Sequence, residues 1–243
     1  MKLPTLPVHR RGGMRATTLP EVLLVLFILL FIAGLLVPVL LWPRLAINKA
    51  SPHRIKCVNN LKNLGLALRI FSTDNNGQFP WRVPVEQGGS LEELADDSRI
   101  WRHFQVLSNE LSTPKILICR SSPQTEATGF GPPNTNAPSP QRQFSHNDHV
   151  SYFLTTGFVE GDTDRILGGD RNLTRNGISI RGRIRPTTND VFGFTKPGHH
   201  EGNGNLLFAD GSVQQVSSSR AAQVFKDGLT RVGTNPPPSL LIP

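Results

Sequence analysis

Two cysteines, Cys57 and Cys119, are all the chain has in 243 residues, and they are spaced for neither a redox C-x-x-C pair nor a zinc-finger ligand set. Acidic residues are missing from positions 1 to 16, and charge of either sign is missing from Val22 to Trp42. Catalytic signatures are missing too: there is no G-x-S-x-G elbow, no H-E-x-x-H helix, and no glycine-rich loop followed by the lysine of a P-loop. These absences exclude several common hydrolase and nucleotide-binding designs, and they predict a protein that is not an enzyme and uses no cofactor. Composition excludes disorder, with 37% hydrophobic against 18% charged residues. The 22 glycines and 20 prolines indicate a loop-rich exported domain of ordinary size.

What is present begins with the span itself. Val22 to Trp42 is 21 uncharged residues, and at 1.5 Å per residue a helix of that length covers roughly 30 Å, the thickness of the hydrocarbon core. A cleaved secretory signal is the weaker reading, because Ala33-Gly34 is followed by further apolar sequence instead of a cleavage site. The basic residues Lys2, Arg10, Arg11 and Arg15 all precede the span, which predicts a cytoplasmic N-terminus and residues 43 to 243 outside. Those four residues also account for half of the net charge of +8, so nucleic acid is not an expected partner. Glu21 is costly at the edge of hydrocarbon unless it finds a cationic partner or stays at the headgroup boundary. Pro38 removes one backbone hydrogen bond inside the helix.

The stretch Thr18-Leu19-Pro20-Glu21, opening an apolar helix behind a short basic leader, resembles the signature of the type IV pilin-like proteins. That family includes pilins and the pseudopilins of type II secretion. A cut between Ala16 and Thr17 makes Glu21 the fifth mature residue and Pro38 the twenty-second, where the family carries its glutamate and its helix-bending proline. The chain departs from the family at the cut, with Ala16 in place of glycine and Thr17 in place of phenylalanine or methionine. The resemblance implies removal of residues 1 to 16 by a prepilin peptidase, which also methylates the amine of Thr17. It further implies pairing of Glu21 with the amine of a neighbouring pilin-like subunit during assembly.

Beyond the span, Cys57, Leu61, Leu64 and Leu68 recur at helical spacing, with Ile55, Val58 and Phe71 near the same face. This predicts an amphipathic helix over 53–73, with Lys56, Lys62 and Arg69 at its wet edge. Ser51-Pro52 reads as an N-cap with proline at the first helical position, so a joint is expected within 17–52, near Pro52. Phe79-Pro80 opens an extended segment. "SLEELADDSRIWRHFQVLSNELS" is a polar helix candidate, "KILIC" an apolar strand, and residues 121–142 a proline-rich loop. "VSYFLTTGFV" and "RNGISIRG" read as strands. Residues 74–243 are therefore expected to form an extracytoplasmic β-rich domain.

His200, nine intervening residues and then Asp210-Gly211 resemble the H-x9-DG segment of one bacterial subfamily of pilin-like proteins. Asp-Gly between apolar runs is itself a hairpin signal. Cys57 with "NNLKNLGLAL", "DNNGQFP", "ILIC" and "GGDRNLT" are similar to that subfamily as well, so the likeness runs from about residue 16 to 216. The implied fold is α+β and pilin-like: a long N-terminal helix packed on an antiparallel sheet with long loops.

Site chemistry remains sparse. His199, His200, Glu201 and Asp210 suggest a hairpin at 200–211, with His200 bonded near the Asp210 turn, more than a metal site. His146 and His149 in "HNDH" carry no clear ligand pattern. Asp162, Asp164 and Asp170 are weak calcium candidates in a glycine-rich loop that fits no EF-hand template. Cys57 and Cys119 are either inert buried thiols or, outside the membrane, a disulfide tying helix to strand.

Together these features predict a structural subunit held by membrane lipid in a bacterial cytoplasmic (inner) membrane through a single pass. Its partners would be the peptidase and other pilin-like subunits of a type IV pilus or type II pseudopilus. The competing expectation is an anchored module that binds a glycan or polyanion without polymerising. A secreted enzyme with an uncleaved signal is the third.

Overall fold

The structure is a computed structural model that describes residues 18–46, 52–132, 142–158, 163–196, 200–229 and 237–243. Side chains 37–46 and 52–53 lie outside the description. The chain divides into two compact units, Met1–Lys49 and Ala50–Pro243. The expected leader, 1–16, and the cleavage pair Ala16 and Thr17 fall outside the described residues, as does most of the expected joint.

The first unit is one helix, α1 (Leu19–Ala46). Thr18 opens it, its carbonyl accepting from the N–H groups of Glu21 and Val22 at 2.9 and 3.3 Å. α1 runs through Pro38 without interruption.

The second unit is α+β, opening with α2 (Pro52–Asp74), which starts on proline, where no N–H is needed. Two short helices follow, α3 (Arg102–Gln105) and α4 (Ser108–Leu111). Then come β1 (Tyr152–Thr155), β2 (Ile166–Asp170), β3 (Leu173–Arg175), β4 (Ile178–Ser179), β5 (Gly182–Ile184) and β6 (Phe192–Phe194). β7 (Asn203–Phe208), β8 (Val213–Ser217), α5 (Ser218–Leu229) and β9 (Leu240–Ile242) complete it. Six strands form one antiparallel sheet in the order β5-β9-β1-β2-β7-β8, and β4-β3-β6 form a second.

The large sheet is covered on both faces, and the side-chain period of two divides its residues between two cores. Tyr152, Leu154, Leu207 and Leu241 join the α2 side, whereas Phe153, Leu206, Leu240 and Ile242 join the α5 side. On the first side α2 contributes Cys57, Leu61, Leu64 and Leu68, all fully buried. Gly65 lets the helix lie close, since a Cβ there would stand 2.8 Å from the Leu207 side chain. On the second side Phe225 of α5 stacks on Phe192 at 4.8 Å between ring centroids.

Several local readings are corrected. Ile55, placed near the apolar face of α2, is exposed. "KILIC" is not a strand: Thr113 accepts from the Lys115 N–H at 3.4 Å, and Pro114 opens a 3-10 turn over Pro114–Leu117. Phe79-Pro80 leads into another 3-10 turn, Pro80–Arg82. The polar helix candidate is broken into Glu92–Ala95, Asp97–Arg99, α3 and α4. Asp96 causes one break, because its extended backbone (φ −128°, ψ 107°) lets its carboxylate accept from the Ser98 N–H at 2.9 Å.

Candidate functional site

Two features stand out once the elements are placed: the surface of α1 and a buried polar cluster beneath α2. Every described side chain of α1, from Leu19 to Leu36, is exposed. The helix is long and apolar enough to cross a membrane, with the same window entirely unburied within the fold. Glu21, in its first turn, is exposed and is the only acidic group there. A carboxylate at a helix N-terminus complements the backbone N–H groups and the dipole, which makes it tolerable there and costly deeper in the helix.

The buried cluster draws one residue from each of four distant segments. Cys57 of α2 and Cys119, just past the Pro114–Leu117 turn, form a disulfide with Cα atoms 5.3 Å apart. Both are fully buried. His200 Nε2 lies 3.4 Å from Cys119 Sγ and 3.5 Å from Asp170 Oδ2. Asp170, the last residue of β2, is opposite Tyr152 of β1 and fully buried. Its Oδ2 accepts from the backbone N–H and the Nδ2 of Asn205, at 2.7 and 2.8 Å. Its Oδ1 is buried without a hydrogen-bond partner among the described residues.

Electrostatics inside this cluster disfavour charge. Burial pushes the Asp170 carboxyl up to about 7 against the opposing pull of the two Asn205 bonds. Burial, with the nearby Arg54 cation, lowers His200. The Tyr152 hydroxyl is pushed upward by burial and by Asp170. Asp170 and His200 thus meet as a pair in which the protein resists ionising either member.

His200 reaches inward from a constrained turn. His200 and Glu201 have φ of 49° and 53°, a region that side chains with a Cβ seldom occupy, and Gly202 continues it at 80°. The His200 carbonyl accepts from Arg54 Nη2 at 3.2 Å and from Asn203 Nδ2 at 3.1 Å. Those bonds tie the turn to α2 and to the start of β7.

The H-x9-DG segment is accordingly divided. Its hairpin is β7–β8, closed by residues 209–212, where Gly211 has φ +86° and the Ser212 N–H donates to Asp210 Oδ1 at 2.7 Å. His200 is not placed at that turn; it lies beyond the other end of β7, against the disulfide. What braces the turn is Arg69 of α2, whose Nη2 donates to the Ala209 carbonyl at 3.1 Å. The expected grouping of His200 with Asp210 is therefore not formed, Glu201 is exposed, and His199 lies outside the described residues.

The calcium candidates separate in the same way. Asp164 is exposed before β2 while Asp170 is buried at its far end, so the strand keeps them apart; Asp162 lies outside the described residues. His146 and His149 stack edge to face at 5.6 Å, with the Ser145 N–H donating to His149 Nδ1 at 3.1 Å. Arg54 and Asn205 are contributions that the sequence reading did not single out. Asn205 had a signal, a carboxamide immediately before the apolar run Leu206-Leu207-Phe208 of β7.

No family model, no curated protein and no solved structure matches this chain.

Proposed function

We propose that the protein is a pilin-like structural subunit. In this reading α1 anchors it in the cytoplasmic membrane of a bacterium, a prepilin peptidase cuts at Ala16/Thr17, and subunits assemble into a type IV pilus or type II pseudopilus. The observation that carries the reading is α1: an apolar helix whose side chains are exposed from Leu19 to Leu36, with one carboxylate, Glu21, in its first turn. Such a surface needs lipid or neighbouring helices to cover it. Glu21 then acts as a register check, since an unpaired buried ion is strongly disfavoured and one paired with the amine of a neighbour much less so. The disulfide supports placing the second unit in an oxidising compartment. No chemistry is catalysed, and the outer domain selects neighbours and cargo.

The test is the N-terminal sequence and intact mass of the protein recovered from membranes of its native host. A chain beginning at Thr17 and carrying one added methyl is the expected result. A chain beginning at Met1 moves the anchored binding module ahead. One observation favours that second reading: a groove of about 300 Å³ lined by Lys56, Asn59, Lys115, Arg120 and Glu126, where cations outnumber the single acid. Such a groove suits an anionic glycan.

A further inference from the structure

We propose that Cys57, Cys119, His200 and Asp170 form a binding site for a zinc-class divalent cation when the cysteines are dithiol, so that disulfide and metal are alternative closures of one cluster. The sulfur and nitrogen donors of Cys57, Cys119 and His200 already lie within 4.8 Å of one another. His200 Nε2 stands 3.4 Å from Cys119 Sγ and 3.5 Å from Asp170 Oδ2. Metal–ligand bonds of about 2.0–2.3 Å at the tetrahedral angle put neighbouring donors roughly 3.3–3.8 Å apart. Two movements complete the site: the sulfurs separate, which reduction forces because two thiols cannot stay at bonding distance, and the Asp170 carboxylate, beside His200 but outside that three-donor group, closes on the cation.

Three further observations point to the same site. The Asp170 carboxylate is fully buried, and one of its oxygens has no hydrogen-bond partner among the described residues. Its other oxygen is oriented by Asn205, the kind of outer support that metal-binding carboxylates receive. The left-handed turn at His200 and Glu201 is held by Arg54 and Asn203 and delivers the imidazole to the cluster; backbone strain of this kind gathers at functional sites. Two thiolates, one imidazole and one carboxylate are a borderline-soft, four-donor set, which selects zinc over calcium or magnesium.

Binding releases the two thiol protons to solvent. A disulfide-class oxidant reverses the closure: the two thiolates join as an S–S bond, their two electrons, with two protons taken from solvent, convert the oxidant's disulfide to a dithiol, and the cation leaves. The inference rests on the folded second unit and is independent of filament assembly.

The experiment uses the full chain in detergent, reduced with a phosphine and titrated with Co(II). The expected result is a thiolate-to-cobalt absorption band in the near ultraviolet, with tetrahedral visible bands, in the reduced chain only, bleached by stoichiometric zinc. H200Q and D170N retain both cysteines and should weaken Co(II) binding by more than the roughly 10–100-fold that loss of an outer-shell partner causes. A reduced chain without these bands overturns the proposal, whether it stays folded or unfolds. Bands of unchanged affinity in both variants overturn it equally, since cysteine alone would then be the ligand.

Discussion

His103 shows how one buried side chain sets an acid limit. It is fully buried, its Nδ1 lies 2.7 Å from Ser90 Oγ, and its Nε2 has no hydrogen-bond partner among the described residues. Burial lowers its pKa from 6.5 to about 4. Below 6.5 the unfolded chain takes up a proton that the folded chain refuses until pH 4. Stability is therefore full above 6.5 and falls as pH drops from 6.5 to about 4, by about 3 kcal/mol in all. Denaturant midpoints between pH 7 and 4 should show this loss in the wild type and a shallower slope in H103Q; parallel slopes would refute the assignment. Gly169 sets a steric limit instead. A Cβ there would stand 2.6 Å from the Asn205 carbonyl oxygen and 2.8 Å from the Phe153 ring. Both lie in the packed sheet, so G169A should cost about 3 kcal/mol, whereas G129A, with nothing among the described residues within 4 Å, should change stability by less than about 0.5 kcal/mol. Thermal melts of the two variants decide it.

At the scale of elements, the disulfide and the hairpin turn are separable supports. Cys57–Cys119 spans 62 positions and ties α2 to the Pro114–Leu117 turn. In the loop-entropy model a closure of that length contributes about 4 kcal/mol. The C57S/C119S pair should lower the unfolding free energy by that order under non-reducing conditions and leave it nearly unchanged relative to reduced wild type. How much of these elements could be read beforehand depended on where their determinants lie. The apolar face of α2 was legible because Cys57, Leu61, Leu64 and Leu68 repeat at the helical period, and the β7–β8 hairpin because Asp210-Gly211 is a turn signal within a few residues. The run "KILIC" misled because its apolar composition describes burial, not backbone: Thr113, Pro114 and the Asn60 side chain, which donates to the Ile118 carbonyl at 3.0 Å, keep it out of the sheet. Phe225 and α5 went unread; their partners, Phe192 and Phe194, lie about thirty positions away.

For the whole molecule, the two units differ in what they bury. The described side chains of unit one form an exposed apolar surface long enough to cross a membrane, and unit two packs its apolar residues into its own cores. The full chain should therefore resist alkaline extraction from membranes. L29R, placing a cation mid-helix, costs about 2.5–3.5 kcal/mol of insertion and should shift part of the protein to the soluble fraction. Under the proposed pilin-like reading, E21K should leave membrane retention intact and abolish incorporation into filaments. Normal incorporation of E21K would count against the pilin-like reading and leave the membrane anchor standing.

By itself the sequence determined the anchor-capable helix, the buried stripe of α2 and the tight turn at Gly211, because each depends on residues within a turn or two of one another. The tertiary structure alone decided that Cys57, Cys119, Asp170 and His200 meet. Nothing local joins them: β1 and β2 must pair with Tyr152 opposite Asp170, α2 must settle on β7, and the backbone at His200 must turn left-handed. The same packing sends His200 away from Asp210, although a fixed interval links them in the chain. A strand separates its two ends by its full length, so spacing along β7 could not say which end His200 would serve.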